Sequence, residues 1–147
     1  WLPDEALLSE KAMPTGKVGV NLNAAGMAED LDEAGTVRIY GIHFGTDEAT
    51  IQTRSEPVLA EMLTLLEQRP ELRLAVGGHT DAQGGLEHTM DLSHRRAEAV
   101  VEHLVTEEDV DRSRLEAHGV AYLAPVMTNA TPEGRTRSRR VELVELP

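Results

Sequence analysis

Two short motifs contain the residues best suited to binding chemistry. GHTDAQG at 78–84 contains Asp81, and LSHRRA at 92–97 contains Arg96, fifteen positions later. An aspartate accepts charge-assisted hydrogen bonds, and an arginine can hold a carboxylate with two parallel donors, which lysine cannot do. The glycines around Asp81 permit positive φ angles and a close approach of the backbone. Taken alone, the pair would more simply be a structural salt bridge, and the glycines a tight turn.

Hydrophobic periodicity predicts the elements that position these motifs. Apolar residues fall on one stripe from Pro57 to Gln68, which indicates a helix, and a second helix is predicted from about Asp91 to Glu107. Arg96 would then lie in the first turns of that helix, where the helix dipole favours a bound carboxylate. Alternating or β-branched segments predict the strands, at 36–44, 71–78, 113–122 and, within RTRSRRVELVEL, at the end of the chain.

The first 35 residues differ in character from the rest. Residues 1–17 contain two prolines and a glycine and are predicted to be a linker, VGVNLN at 18–23 a short strand, and residues 24–34 a helix that stops at Gly35. We therefore expect an N-terminal extension over 1–35 and one folded domain over 36–147. The order strand–helix–strand–helix–strand–strand indicates an α+β fold with a mixed sheet.

Composition excludes several classes of function. The chain has 147 residues and a net charge of −12, so nucleic acid and anionic membrane surfaces are disfavoured as partners. It contains no cysteine, which excludes disulfides and thiol nucleophiles. No apolar run approaches 18 residues, so no membrane span is expected. Phosphate-binding and dinucleotide-binding motifs are absent, and Ser93 does not lie in a nucleophile elbow.

Five features in one order carry a family resemblance over roughly residues 36–146. They resemble the C-terminal domain of the OmpA family, which includes the Pal lipoproteins and the wall-binding part of MotB stator proteins. The features are Phe44 followed by Gly45-Thr46-Asp47 and Ile51; GHTDAQG; LSHRRA; Pro125 followed by Asn129, Thr131, Gly134 and Arg135; and SRRVEL at 138–143. The resemblance implies a βαβαββ sandwich in which a mixed sheet packs against two long helices.

The resemblance also implies a function. The family binds the peptide stem of peptidoglycan non-covalently, usually through meso-diaminopimelate, and the residues that hold it match Asp81 and Arg96. Diaminopimelate presents an ammonium and a carboxylate on one carbon, so an anion and a cation a few ångströms apart suit it. The expected role is to anchor an outer-membrane or periplasmic protein to the cell wall of a Gram-negative cell. Envelope proteins are further expected partners, and no catalysis, cofactor or metal is expected.

Further ligand-binding residues are carried over from the same resemblance. Asp47, Thr46 and Leu92 match positions near the ligand, and Arg139 lies in a segment that the family places close to the pocket. Thr89 occupies a position where the family usually has asparagine, so an amide that can pair with peptide backbone is replaced. Ser138 and Gly45 also replace the usual asparagine and aspartate of their motifs.

Alternative functions remain open. The chain could be the wall-binding domain of a motor stator, or an OmpA-like module that has lost wall binding and binds other proteins, which the change to Thr89 makes worth testing. A metal-dependent hydrolase is a third alternative, suggested by His79 with Asp81 and by nearby histidines, although three or four convergent ligands are not evident. The four arginines between 135 and 140 are predicted to split between two faces of a strand, as solvated or salt-bridged charges.

Overall fold

The computed structural model describes residues 23–147, in which helices and strands alternate along the chain. The helices are α1 (Ala24–Ala34), α2 (Glu56–Gln68), α3 (Leu86–Glu102) and α4 (Pro132–Ser138). The strands are β1 (Thr36–Ile39), β2 (Leu74–His79), β3 (Leu115–Ala121) and β4 (Arg140–Glu145). A single π-helical turn at His103–Glu107 extends α3. Within the described part of the chain, every helix is too short or too polar to cross a membrane.

The strands form one mixed sheet in the order β1-β4-β2-β3. Strand β4 is antiparallel to both of its neighbours, with Leu143 opposite Val37 on one side and Val76 on the other. Strands β2 and β3 are parallel, with Leu74 opposite Leu115. The predicted α+β fold with a mixed sheet and βαβαββ order is therefore confirmed, with α1 added before it and α4 inserted between the last two strands.

The hydrophobic core lies between one face of the sheet and the helices. Alternate residues of β4, Val141 and Leu143, are buried in one cluster with apolar residues of α2 and α3, as the period of two in a strand requires. Helix α2 contributes the stripe that the sequence predicted, and α3 contributes Val100 at 0% exposure. Each fully buried leucine or valine stabilises the fold by about 1.5–3 kcal/mol relative to an exposed one.

Helix α1 has the bounds predicted from the sequence. The Asn23 side chain accepts a hydrogen bond from Gly26 N at its start, and Gly35 ends it with a φ of 76°. Met27 and Leu31 are buried in the same core as the sheet. The division of the chain at residue 35 stays a prediction. The linker predicted over 1–17 lies outside the described residues, as does the strand predicted over 18–23 apart from Asn23.

Three predicted elements are corrected by the structure. The strand predicted over 36–44 ends at Ile39, and Phe44 makes only an isolated bridge with Ile51. Helix α3 begins at Leu86 and not near Asp91, because the positive φ of Gly85 lets the chain enter the helix directly after the turn. The predicted closing strand begins only at Arg140, because residues 132–138 form α4.

These corrections change the predicted surroundings of Arg96 and of the arginine cluster between residues 135 and 140. Arg96 is the eleventh residue of α3, so the predicted help from the helix N-terminus is wrong. Arg135 and Arg137 lie in α4 and only Arg140 lies in β4, so the predicted alternation of the arginine cluster along one strand is wrong too.

Candidate functional site

Asp81 lies just beyond the carboxyl end of β2 and is almost fully enclosed. Its side chain is 8% exposed. One carboxylate oxygen, Oδ1, accepts a hydrogen bond from the backbone N–H of Gln83 at 3.0 Å, and the other, Oδ2, forms an ion pair with Nη1 of Arg139. The turn after β2 and the junction between α4 and β4 therefore hold this carboxylate from two sides.

Arg96 approaches the same region from α3 and is held by neutral groups. Its Nε donates to the carbonyl oxygen of Glu48 at 2.8 Å, and its Nη2 donates to that of Gly45 at 3.0 Å. The guanidinium carbon also lies 4.9 Å from the centre of the Phe44 ring, in a cation–π contact. The orientation of Arg96 is thus fixed before any ligand arrives.

Asp81 and Arg96 are brought near each other without touching. No ion pair among residues 23–147 involves Arg96. Burial lowers the pKa of the Arg96 guanidinium, and the nearby carboxylates of Asp47 and Asp81 act in the opposite direction. An arginine stays charged at neutral pH even so. An anionic and a cationic group thus act on each other without a direct bond between them.

Asp47 and Thr46 form an outer rim on the loop that follows β1. Thr46 is exposed, and Asp47 has a φ of 55° that turns the loop. The Asp47 side chain is 70% exposed, and its Oδ1 lies 3.2 Å from Nε2 of His88 in the first turn of α3. This contact joins the loop to the helix across the rim. His88 was not predicted as a site residue, and its spacing from Asp47 in the sequence gave no signal for the pairing.

Leu92 and Thr89 lie on the inner side of α3. Leu92 is 5% exposed and Thr89 is 2% exposed. The Thr89 hydroxyl donates to the carbonyl oxygens of Gly85 at 2.7 Å and Leu86 at 3.2 Å, within its own helix. Its hydrogen-bonding capacity is therefore directed to the helix start, where an asparagine would still have a second polar group to offer.

Arg139 contributes the third charged side chain of the site. Its side chain is 46% exposed, and Nη2 donates to the Thr136 hydroxyl at 3.1 Å while Nη1 contacts Asp81. The structure thus groups Asp81 and Arg139 directly, places Arg96 beside them, and puts Asp47 and Thr46 at the rim. The backbone carbonyls of Gly45 and Glu48, which orient Arg96, could not be identified from side-chain types.

A second charged cluster lies on the opposite face of the sheet from the core. Arg140, which is 7% exposed, donates from Nε to Glu142 at 2.7 Å and from Nη2 to the carbonyl oxygen of Ala124 at 2.9 Å, and Nη2 also forms an ion pair with Glu142 at 2.6 Å. Nε2 of His79 lies 4.0 Å from Glu142, while its buried Nδ1 has no hydrogen-bond partner among the described residues. Burial, with the nearby charge of Arg140, lowers the pKa of His79 to about 4. His79 is therefore a neutral, enclosed side chain at physiological pH.

The histidines considered as metal ligands are dispersed in the structure. His88, His94 and His103 each lie within 4 Å of a different carboxylate, namely those of Asp47, Glu98 and Glu108. Over residues 23–147, the structure contains no group of three or more side chains arranged to hold a metal ion.

Comparison with known proteins places this geometry in a family. Residues 43–139 match the OmpA family. The chain is 33% identical over 106 residues to the probable lipoprotein YiaD of Escherichia coli, covering 72% of this chain and 48% of YiaD. It is also 33% identical over 131 residues to the peptidoglycan-binding protein ArfA of Mycobacterium tuberculosis, covering 88% of this chain and 40% of ArfA. The chain therefore spans less than half the length of these relatives.

A solved structure has the same fold. The cell wall anchor of the type VI secretion system (T6SS) of Pseudomonas aeruginosa superposes with a TM-score of 0.65 at 28% identity. The match covers 82% of this chain and 94% of that one.

Proposed function

This chain belongs to the OmpA family, and we propose that it binds the peptide stem of peptidoglycan non-covalently through Asp81 and Arg96. Proteins of this family bind or have structural roles and are not enzymes, so the prediction of a non-catalytic chain is confirmed. The names of ArfA and of the secretion-system anchor indicate cell-wall attachment in those two proteins. Wall binding by this chain follows as a proposal from that kinship and from the site.

The observation that carries the proposal is the half-buried guanidinium of Arg96 beside the enclosed carboxylate of Asp81. A diaminopimelate side chain ends in a carbon that bears both an ammonium and a carboxylate. Its ammonium would donate to Asp81, and its carboxylate would accept from the free N–H groups of Nη1 and Nη2 of Arg96, since Nε and one N–H of Nη2 already donate to Glu48 and Gly45. Asp47, Thr46 and Leu92 would line the rim and wall, with Thr89 behind them.

This function places the chain in the envelope. We expect it to face the wall from the periplasm or the outer membrane of a Gram-negative cell, where it anchors the protein of which it is part. Envelope proteins are its further expected partners. Fractionation that recovered the protein in the cytoplasm would contradict this location.

Co-sedimentation with purified peptidoglycan tests the proposal. Wild type should sediment with the wall, whereas Asp81→Asn and Arg96→Gln should reduce the bound fraction about tenfold or more, as expected for loss of one charge-assisted contact. Asp91→Asn and Arg95→Gln are matched controls, because these residues form an exposed ion pair on the same helix. If all five proteins sediment alike while folded, the site does not bind the wall.

A second candidate is a protein-interaction module that has lost wall binding. The observation that favours it is the Thr89 hydroxyl, which is committed to Gly85 and Leu86 where the family usually offers an amide. Under this function, wild type itself would fail to sediment with peptidoglycan. Thr89→Asn would then be expected to restore binding.

A further inference from the structure

The positive and negative side chains at the inner end of the site are not equal in number. Asp81 and Arg139 neutralise each other directly, and the Asp81 side chain is 8% exposed. Arg96 adds a second guanidinium whose hydrogen bonds go only to neutral carbonyl groups. One carboxylate and two guanidiniums therefore occupy the inner site, which leaves an excess of one positive charge.

The surrounding charges offset this excess only in part. Arg95 is the other cation that acts on Arg96, and it is paired with Asp91 at 2.9 Å on the exposed side of α3. Asp47 has a larger effect on Arg96 than any other charged group, but its side chain is 70% exposed and contacts His88. Solvent screens such an exposed charge far more than an enclosed one. Asp47 therefore offsets part of the excess from the rim, and Asp81 is the one enclosed carboxylate among the charges named here.

Partly buried charges are stable when a counter-charge accompanies them. A ligand group with one ammonium and one carboxylate carries no net charge, so it would leave the excess unchanged. A ligand group with one ammonium and two carboxylates would neutralise it. Arg139 is suited to receive the second carboxylate, because its guanidinium contacts Asp81 and is still 46% exposed.

We propose, resting on the proposed function, that the site selects a peptide stem that ends at its diaminopimelate residue. Diaminopimelate has a proximal α-carbon, which is joined to the stem, and a distal α-carbon at the far end of its side chain. In such a stem the proximal amino group is in a peptide bond, while the distal ammonium and both carboxylates are free. Arg96 holds the distal carboxylate, and Arg139 holds the proximal one. A stem whose proximal carboxyl is in an amide bond lacks the second anion and binds more weakly.

Calorimetric titration with two synthetic peptides tests this selectivity. Both have the sequence L-Ala–γ-D-Glu–meso-diaminopimelate, and they differ only in the proximal carboxyl of the last residue, which is a free acid in one and a carboxamide in the other. We expect the acid to bind wild type about tenfold more tightly, as for one charge-assisted contact. In Arg139→Gln the two dissociation constants should agree within about twofold.

Arg112→Gln is the matched control. It removes the same charge from an exposed ion pair with Glu102, in the segment that leads into β3 at the end of the sheet away from Asp81. Arg112→Gln should bind the free acid more tightly than the carboxamide, by the same factor as wild type. A merely structural Arg139 would weaken both peptides equally and leave the ratio unchanged, which would overturn the inference.

The remaining outcomes separate the two proposals. If wild type binds both peptides equally and Arg96→Gln abolishes both, the selectivity is wrong and the wall-binding function stands. If wild type binds neither peptide nor peptidoglycan, the proposed function fails and the inference falls with it.

Discussion

The backbone of Ser93 in α3 lies directly against Gly78 in β2. A Cβ atom on Gly78 would clash with the Ser93 carbonyl group, so no larger residue fits without a shift of backbone. Gly78 stands three positions before Asp81, and Ser93 stands three positions before Arg96. The close contact of strand and helix therefore sets the separation between the two binding groups.

Substitution of Gly78 should disturb both folding and binding. Gly78→Ala forces α3 away from β2 and should lower the free energy of unfolding by about 1–3 kcal/mol, as overpacking usually does. Peptidoglycan binding by the folded fraction should fall as well. Gly77→Ala is the control on the same strand, because its Cβ would meet no atom closer than 3.4 Å. Urea denaturation measures the stability of each variant, and co-sedimentation measures its peptidoglycan binding. Equal stability of Gly78→Ala and Gly77→Ala would contradict the proposed close contact.

Arg96 should not tolerate lysine. Lysine keeps the charge but lacks the planar guanidinium. Arginine donates to the carbonyls of Gly45 and Glu48 and still presents a further donor group in the same fixed plane, which lysine cannot do. Arg96→Lys should weaken peptidoglycan binding about tenfold and lower the free energy of unfolding by about 1–2 kcal/mol, for the hydrogen bonds lost. Arg95→Lys should change neither measurement. Wild-type affinity in Arg96→Lys would show that charge alone suffices.

Acid should destabilise the fold through His79. A histidine is protonated in the unfolded chain below pH 6.5, whereas the pKa of His79 is lowered to about 4 in the folded protein. The unfolded state therefore binds more protons between these values, and stability falls as pH drops through this window, by at most about 3 kcal/mol. Above pH 6.5 the contribution of His79 to this pH dependence vanishes.

Urea denaturation at pH 7.5, 5.5 and 4.5 measures this effect. His79→Phe keeps an aromatic ring but cannot titrate, so its stability should fall less over the same range. His118→Phe is a control, because His118 has a side chain that is 58% exposed. Parallel pH profiles for wild type and His79→Phe would assign the acid sensitivity to other groups.

Arg114 should matter for stability and not for binding. Its Nε and Nη2 donate to the carbonyl oxygens of Leu72, Leu66 and Arg69, at 3.0, 2.9 and 2.7 Å, and so satisfy the end of α2. Arg114→Met should lower the free energy of unfolding by about 2 kcal/mol. Peptidoglycan binding per folded molecule should stay at the wild-type level. Arg112→Gln, which lies two residues earlier and is exposed, should leave both unchanged.

The sequence predicted those elements whose signals are local. Helix α1 was placed to the residue, because Gly35 marks its end, and α2 was placed within one residue at its start, because its apolar stripe is regular. Helix α4 was missed although Thr131 accepts a hydrogen bond from Gly134 N and Pro132 occupies the first helical position. Those two signals predict a helix start. The alternating residues that follow favour a continuous closing strand, and this pattern outweighs the two helix-start signals when the sequence is considered alone.

The site was predictable in its residue types and not in its pairings. The family resemblance led to Asp81 and Arg96, and the structure places Asp81 just after β2 and Arg96 on α3 against the loop that follows β1. The Arg139–Asp81 ion pair joins residues 58 positions apart, and the carbonyls that hold Arg96 belong to a loop 48 and 51 positions away. Such contacts depend on how strands are ordered in the sheet, which periodicity does not contain.

Strand β4 comes last in the chain, yet it lies inside the sheet between β1 and β2. Strand β4 pairs with β1 on one side and with β2 on the other, so the sheet is complete only when β4 is in place. The pairing of β1 with β4 joins residues that are far apart in the sequence, such as Thr36 and Val144, and contacts of this kind form slowly in folding. Until β4 inserts, the facing edges of β1 and β2 carry unpaired backbone groups, which is the kind of edge that a strand of another chain can join.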